Sequence, residues 1–215
     1  MSRHQVRRRI EEIGIIPAVR AHSAEDAVFA AEAVTRSGIP IVEITMTIPG
    51  ALEVVARLAR NHGEVVVGAG TVLDLETARR CLEAGAHFIT STGFDPEVVE
   101  FAIREDVAIF PGALTPTEVM LAWKARPDFV KIFPCAPMGG PGYIHALRGP
   151  FHDVPLIAAG GITQHNAVEY LSAGAVALGI GGELIPQEAI RLRQEHRIAE
   201  LARRLLALIK VARKR

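Results

Sequence analysis

The residue with the clearest chemical potential is Lys131, which lies inside the apolar run FVKIFP. Only four of the 24 Lys and Arg residues are lysines, and two of these, Lys210 and Lys214, belong to the charged C-terminal segment. Burial disfavours the charged form of a lysine amine, and a neutral amine is a nucleophile toward ketones and aldehydes. Lys131 is therefore a candidate for a covalent catalyst that forms a Schiff base.

A second candidate is Glu43, which interrupts the apolar run IPIVEI. Side chains alternate between the two faces of a strand, so Lys131 shares a face with Phe133, and Glu43 shares one with Thr45. A carboxylate close to the lysine would move protons to and from the covalent adduct. The alternative is a buried Lys–Glu ion pair without any chemistry.

Paired glycines form a third candidate group. Gly160 and Gly161 follow the apolar run VPLIAA, and Gly181 and Gly182 follow the run AVALGI. Glycine lets backbone N–H groups approach an anion closely, as in the phosphate sites of many barrel enzymes. These glycines therefore predict a phosphate-binding end of the site, with ordinary turn chemistry as the alternative.

The elements that must position these residues alternate along the chain. Short apolar runs cover residues 14–19, 39–44, 64–69, 87–90, 107–110, 129–133, 154–159 and 175–180. Between them lie segments with helical periodicity, which start at cap residues such as Ser23, Asp95 and Thr115 and end at glycines such as Gly38. Eight strand–helix units in about 200 residues favour a closed (β/α)8 TIM barrel over an open sheet.

The whole chain, residues 1–215, is interpreted as one barrel domain of the α/β class. The first dozen residues predict an extra N-terminal helix, and the segment from Gln187 to about Ala212 predicts one long amphipathic helix that closes the barrel. Active sites of such barrels lie at the carboxyl ends of the strands, where Lys131 and Glu43 are both expected to point into the barrel.

Composition limits the classes of partner. The formal net charge is +0, which does not favour a nucleic-acid binder, and the chain lacks an apolar run long enough to span a membrane. Cys81 and Cys135 lie far apart, which indicates two reduced thiols and a cytoplasmic protein. The histidines and cysteines lack the spacing of common metal sites, so neither a metal nor another cofactor is expected.

Six motifs in this order, VEITMT, VGAGTV, FPGALTPTE, VKIFP, AAGGIT and GIGG, resemble the 2-keto-3-deoxy-6-phosphogluconate aldolase family, which includes 4-hydroxy-2-oxoglutarate aldolases. The resemblance covers about residues 12 to 210. It implies a (β/α)8 barrel that assembles as a homotrimer. It also implies class I aldol cleavage, in which a metal-free Schiff base with a small keto acid yields pyruvate.

The resemblance also implies roles for particular residues. Lys131 would form the Schiff base, and Glu43 would carry protons. Thr71 would lie at the pyruvate site, and Phe133 would pack beside the lysine. Gly160 and Gly161 would hold the phosphate end of the substrate, together with the loop that carries Gly181 and Gly182.

Several positions depart from the family pattern. Thr47 stands where many members have an arginine, so Arg20 is predicted to bind the substrate carboxylate instead. Ala159 replaces a threonine, and Thr92 replaces a proline. Gly182 stands at a serine position and is followed by Glu183, which adds negative charge beside the predicted phosphate site.

Three other functions remain open alongside cleavage of the phosphorylated sugar acid. Gly182 and Glu183 favour the same chemistry on unphosphorylated 4-hydroxy-2-oxoglutarate. A phosphate-binding barrel could also be an epimerase or synthase in which Lys131 only forms an ion pair. The last alternative is a barrel that binds a sugar phosphate, or serves as structure, without catalysis.

Overall fold

The computed structural model describes residues 1–61 and 64–213, and no helix in these ranges is both long and apolar enough to cross a membrane. The strands are β1 (Ile15–Val19), β2 (Ile41–Thr45), β3 (Val66–Gly70), β4 (Phe88–Thr90), β5 (Ala108–Phe110), β6 (Gly112–Ala113), β7 (Val130–Ile132), β8 (Leu156–Ala159) and β9 (Ala177–Ile180). The α-helices are α1 (Arg3–Ile13), α2 (Ala24–Arg36), α3 (Ala51–Asn61), α4 (Leu75–Glu83), α5 (Pro96–Arg104), α6 (Pro116–Lys124), α7 (Pro141–Arg148), α8 (Ala167–Ser172), α9 (Gln187–Arg191) and α10 (Glu195–Ala212), and a 3-10 helix covers Ala136–Met138.

The strands form one parallel sheet in the order β5-β4-β3-β2-β1-β9-β8-β7-β6. The two edge strands, β5 and β6, are consecutive pieces of one segment, because Pro111 has no N–H group and interrupts the ladder. β5 pairs with β4 and β6 pairs with β7, so this segment joins both ends of the sheet. The nine strands thus occupy eight positions, and the predicted (β/α)8 barrel is confirmed, with its fifth strand in two pieces rather than one.

Helices begin at cap residues that the sequence indicates. The Ser23 hydroxyl accepts a hydrogen bond from the Asp26 N–H at 3.2 Å at the start of α2. Thr115 and Glu118 form a reciprocal capping box at the start of α6. Gly38 follows α2 with a φ of 96°, a conformation that favours glycine. These local signals set the lengths of the loops that connect the strands to the helices.

The prediction of a single helix from Gln187 to about Ala212 is wrong. Two helices, α9 and α10, occupy this segment. Arg193 between them has a φ of 50°, in the left-handed region, and this ends α9. Its guanidinium lies 3.0 Å from the Asp26 carboxylate and 4.8 Å from the centre of the Phe29 ring. Contacts with α2 therefore hold the break, and hydrophobic periodicity does not report such contacts.

The predicted N-terminal helix is confirmed as α1, which packs at the amino-terminal ends of the strands through the buried side chains of Val6 and Ile10. The Arg3 Nε group donates to both carboxylate oxygens of Asp128 at 2.8 Å. Asp128 is almost fully buried and also accepts from the Ile109 N–H at 2.9 Å. The helix thus covers the end of the barrel opposite to the expected site.

The Arg3–Asp128 pair leads to a prediction about stability. Burial raises the pKa of Asp128 although Arg3 and the Ile109 N–H act in the opposite direction. Arg3→Ala would leave this carboxylate buried without its cation, and we expect the free energy of unfolding to fall by about 3 kcal/mol. Urea denaturation of the variant measures this loss.

Arg8→Ala is the matched control for this prediction. Arg8 lies on the same helix and also forms an ion pair at 2.8 Å, with Glu12, but 82% of its side-chain surface is exposed. Removal of such a pair is expected to cost less than about 1 kcal/mol. Equal losses in the two variants would contradict the stabilising role given to Arg3.

Candidate active site

A cavity of about 350 Å3 opens at the carboxyl ends of the barrel strands. Part of its wall is apolar and consists of Ile16, Phe110 and Ile157. The cavity brings together all but one of the residues predicted for the site, namely Arg20, Glu43, Lys131, Phe133, Gly160, Gly161, Gly181 and Gly182. Residues from both halves of the chain therefore meet in one concave space.

Lys131 lies on β7, and only 9% of its surface is exposed. Its neighbours Val130 and Ile132 are fully buried, as expected if they face the helices while the lysine faces the cavity. The Lys131 Nζ atom lies 5.7 Å from the centre of the Phe133 ring. The aromatic ring thus borders the amine on one side and limits the directions from which a ligand can approach it.

Glu43 lies on β2 and is 5% exposed. Its carboxylate extends over Gly70 of β3, where an added Cβ atom would overlap it. The absence of a side chain at Gly70 therefore gives the carboxylate room to reach past the neighbouring strand. Gly70, the second glycine of the GAG sequence at the end of β3, is therefore required for the packing of Glu43.

Thr90 at the end of β4 connects these two groups. The Lys131 Nζ group donates to the Thr90 hydroxyl at 3.2 Å, and this hydroxyl donates to Glu43 Oε2 at 2.9 Å. The described part of the chain shows no direct ion pair between Lys131 and Glu43. The amine and the carboxylate therefore interact through the hydroxyl group of Thr90, a residue that is 1% exposed.

Thr90 was not among the predicted site residues, although its strand position carries a signal. Glu43, Thr90 and Lys131 lie on β2, β4 and β7, which are the second, fourth and sixth strand positions of the barrel. Alternate strands of a (β/α)8 barrel contribute side chains to the same interior layer. This layering is the signal that could have placed a polar residue at the end of the fourth strand beside Lys131 and Glu43.

The glycine-rich loops form the opposite side of the cavity. Gly160 and Gly161 have φ values of 86° and 83°, and an added Cβ at Gly160 would come within 2.9 Å of the Pro134 Cα atom. The Asn166 side chain holds the loop through a hydrogen bond to the Gly161 carbonyl at 3.0 Å. Among the described residues, the N–H groups of Gly161 and Gly182 have no protein acceptor. This side of the cavity therefore offers hydrogen-bond donors to a ligand.

Two exposed side chains of opposite charge stand at the mouth of the cavity. Arg20 follows β1, and its carbonyl accepts from the Gln187 side chain at 2.6 Å. Glu183 follows Gly182 in a turn between β9 and α9. The cavity thus has a cation at one part of its rim and an anion next to the glycine-rich loops.

Thr71 is not among the residues that line this cavity. Thr71 has a φ of 59°, which is unusual for a β-branched residue. It lines a neighbouring groove that also contains Thr47 and Leu73. The expected contact of Thr71 with the pyruvate part of the substrate therefore stays a prediction.

Comparisons with known proteins give the family. Residues 6–201 match the family described as KDPG and KHG aldolase. The 2-dehydro-3-deoxy-phosphogluconate aldolase of Treponema pallidum is 33% identical over 202 residues, which cover 94% of this chain and 96% of the relative.

Solved structures agree with this match. A KDPG aldolase from Legionella pneumophila, with pyruvate captured as a covalent carbinolamine, is 29% identical, with a TM-score of 0.84 over 91% of this chain and 95% of that chain. A designed cube-shaped protein cage, made by fusing symmetric oligomeric domains, is 27% identical, with a TM-score of 0.87 over 94% of this chain and 74% of that chain. The chain therefore belongs to the KDPG and KHG aldolase family, and it is an aldolase, a carbon–carbon lyase.

Proposed function

We propose that this aldolase cleaves 2-keto-3-deoxy-6-phosphogluconate into pyruvate and glyceraldehyde 3-phosphate through a Schiff base on Lys131. One observation carries the proposal: the buried Lys131 amine and the buried Glu43 carboxylate meet in one cavity at the carboxyl ends of the strands. The pyruvate carbinolamine in the Legionella relative supports covalent chemistry of this kind.

Lys131 supplies the nucleophile. Its Nζ atom attacks the C2 carbonyl carbon of the keto acid, and loss of water from the carbinolamine gives a protonated imine. The C3–C4 bond then breaks, its electron pair moves toward the imine nitrogen, and an enamine of pyruvate remains. The C4 hydroxyl loses its proton and becomes the aldehyde that leaves. Protonation of the enamine at C3 and attack of water at C2 release pyruvate and regenerate the amine.

Glu43 is the group that moves protons in this sequence. As a carboxylate it accepts the proton of the C4 hydroxyl, and as a carboxylic acid it returns a proton to C3 of the enamine. The apolar wall of the cavity, which includes Ile16 and Ile157, limits the access of water to these intermediates. Phe133 packs beside the substrate carbons next to Lys131.

Arg20 is the proposed partner of the substrate carboxylate. It lines the cavity at the rim, and a guanidinium binds a carboxylate through two parallel hydrogen bonds. This contact would hold the C2 carbonyl toward Lys131. Thr47, which replaces the arginine of many relatives, lies in the neighbouring groove instead of the cavity.

Arg20→Ala is expected to raise the KM for the keto acid about tenfold to a hundredfold, because a charged hydrogen-bond pair is lost. Steady-state kinetics and the pyruvate concentration needed for half-maximal trapping measure the effect. Arg104→Ala on α5, whose side chain is 63% exposed and does not line the cavity, is the control. Thr47→Arg in the Arg20→Ala background is expected to restore part of the binding. An unchanged KM in Arg20→Ala would contradict the clamp.

The glycine-rich side of the cavity is the proposed phosphate end. Gly160, Gly161, Gly181 and Gly182 line it, and free N–H groups there suit an anion. A contact of Thr71 with the pyruvate part of the substrate is proposed on the family motif alone, since Thr71 lines the neighbouring groove. The name of the Treponema relative supports a phosphorylated substrate.

Glu183 motivates a second candidate substrate, 4-hydroxy-2-oxoglutarate, which would give pyruvate and glyoxylate. Glu183 lines the cavity next to Gly182, and a like charge weakens the binding of a phosphate dianion. The family description includes both kinds of aldolase. Pyruvate release from each substrate, followed with lactate dehydrogenase, decides between them.

We expect a higher kcat/KM for the phosphorylated substrate. A large preference for 4-hydroxy-2-oxoglutarate would overturn the phosphate end and leave the Schiff-base chemistry in place. Release of pyruvate from neither substrate would overturn the proposed function itself.

Glu183→Ala is expected to raise kcat/KM for the phosphorylated substrate about three- to tenfold, because removal of a partly screened like charge favours the dianion. The gain should shrink at high salt, and kcat/KM for 4-hydroxy-2-oxoglutarate should change less. Glu169→Ala on α8, an exposed acid that does not line the cavity, is the control. An unchanged ratio of the two kcat/KM values in Glu183→Ala would show that Glu183 does not face the substrate.

Assembly as a homotrimer and a cytoplasmic location complete the proposal. The family resemblance supports the trimer, and the cage relative consists of symmetric oligomeric domains. Cys81 and Cys135 are buried free thiols, as is usual in reducing compartments. Light scattering of the purified protein is expected to give three times the mass of the chain, and the mass of a monomer or dimer would contradict the trimer.

A further inference from the structure

The hydroxyl of Thr90 lies between the two groups that carry the proposed chemistry. Its distances to Lys131 Nζ and Glu43 Oε2, 3.2 Å and 2.9 Å, are within the range of hydrogen bonds. An ammonium can only donate and a carboxylate can only accept. The hydroxyl must therefore accept a hydrogen bond from Lys131 and donate one to Glu43. Both hydrogen bonds are thus donated in the same direction, from Lys131 through Thr90 to Glu43.

The barrel fixes this arrangement. Glu43 on β2 reaches Thr90 on β4 because Gly70 on the strand between them has no side chain. On the other side, Lys131 of β7 reaches the same hydroxyl across the fifth strand position, where Gly112 of β6 is its register partner. Both long side chains thus reach the Thr90 hydroxyl.

Thr90 itself has little freedom to move. It is 1% exposed, its strand pairs with β5 in register with Phe110, and its carbonyl accepts from the Val72 N–H at 3.1 Å. A β-branched side chain also has few rotamers. The hydroxyl is therefore held at a defined point instead of sampling several positions.

We propose that the Thr90 hydroxyl relays to Glu43 the proton that Lys131 must lose before it attacks the keto acid. The Thr90 oxygen takes a proton from Lys131 Nζ and passes its own proton to Glu43 Oε2. The products are a neutral amine, an intact hydroxyl and a protonated carboxyl, so the single proton is conserved. This inference rests on the proposed function and adds the route by which the nucleophile and the acid–base group communicate.

The relay prepares both partners at once. The amine becomes nucleophilic, and Glu43 becomes an acid that can protonate the departing hydroxyl of the carbinolamine. Without the Thr90 hydroxyl, the proton of Lys131 must go to water or hydroxide. The rate of imine formation would then fall at neutral pH and rise as the pH increases.

Thr90→Val removes the hydroxyl with little change in shape, and Thr90→Ser keeps it. Ser91→Ala is the matched control, since Ser91 is the next residue, is 4% exposed, and donates its hydroxyl to the Gly93 carbonyl at 2.6 Å. We would measure kcat, KM and the rate of imine formation with pyruvate, across neutral to alkaline pH, by trapping with borohydride. Thr90→Ala replaces Thr90→Val if the latter does not fold.

For Thr90→Val we expect a loss of kcat of about a hundredfold with an unchanged KM, and a rate of imine formation that increases with pH. Thr90→Ser should recover most of the rate and the wild-type pH profile, and Ser91→Ala should behave as wild type. Wild-type kcat and pH dependence in Thr90→Val, beside normal trapping in the wild type, would overturn the relay alone. If the wild type itself traps no pyruvate, the proposed function fails together with the relay.

Discussion

Replacing Lys131 with arginine is expected to abolish aldol cleavage while the barrel remains folded. A guanidinium stays protonated and cannot form an imine, although it keeps the positive charge. The loss of a covalent nucleophile predicts a decrease in kcat on the order of 10⁵-fold or more. Release of pyruvate from the phosphorylated substrate measures activity, and circular dichroism checks the fold.

Lys124→Arg is the control for this experiment. Lys124 ends α6 and is exposed, and it does not line the cavity. The same chemical change at this position should leave kcat and KM unaffected. Wild-type turnover in Lys131→Arg would remove Lys131 from the mechanism.

The second large effect is expected for Glu43→Gln. The amide keeps the size of the side chain and can still accept the hydrogen bond from Thr90, but it cannot carry a proton. Proton transfer by a positioned group contributes roughly 100- to 10,000-fold, and kcat should fall by a factor in this range. The imine with pyruvate should still form, only more slowly.

Exchange of the methyl protons of pyruvate with solvent isolates the step assigned to Glu43. Exchange requires that the pyruvate imine lose a proton from C3 to form the enamine, and that the enamine take up a proton at C3 again. No carbon–carbon bond breaks in this reaction. We expect Glu43→Gln to lose exchange to the same extent as cleavage, whereas Glu97→Gln, an exposed acid on α5, should retain both. Nearly normal exchange in Glu43→Gln would contradict its role.

Most of the fold was predictable because its signals are local. Caps such as Ser23 and Thr115, and the glycine at Gly38, act within a few residues of their own helix. The alternation of side chains along the strands was sufficient to place Lys131 and Glu43 on the inner face. The features that the sequence did not reveal depend on contacts between distant segments. The break at Arg193, for example, is held by α2.

The same distinction applies to the site. Thr90 was missed because threonine is an ordinary strand residue, and only its position in the barrel layer gives it a role. Thr71 was assigned to the cavity by the family motif, but its φ of 59° is a property of the folded backbone. That Arg20 and Glu183 both line one cavity likewise becomes visible only when the first and last strands of the chain meet.

The central claim is that Lys131 forms the covalent bond to the keto acid. Incubation of the wild-type protein with pyruvate and borohydride, followed by proteolysis and mass spectrometry, tests it most directly. We predict one reduced pyruvate adduct per chain, on the peptide that carries Lys131, and none in Lys131→Arg. Absence of an adduct in the wild type, or an adduct on another lysine with Lys131 unmodified, would contradict the account.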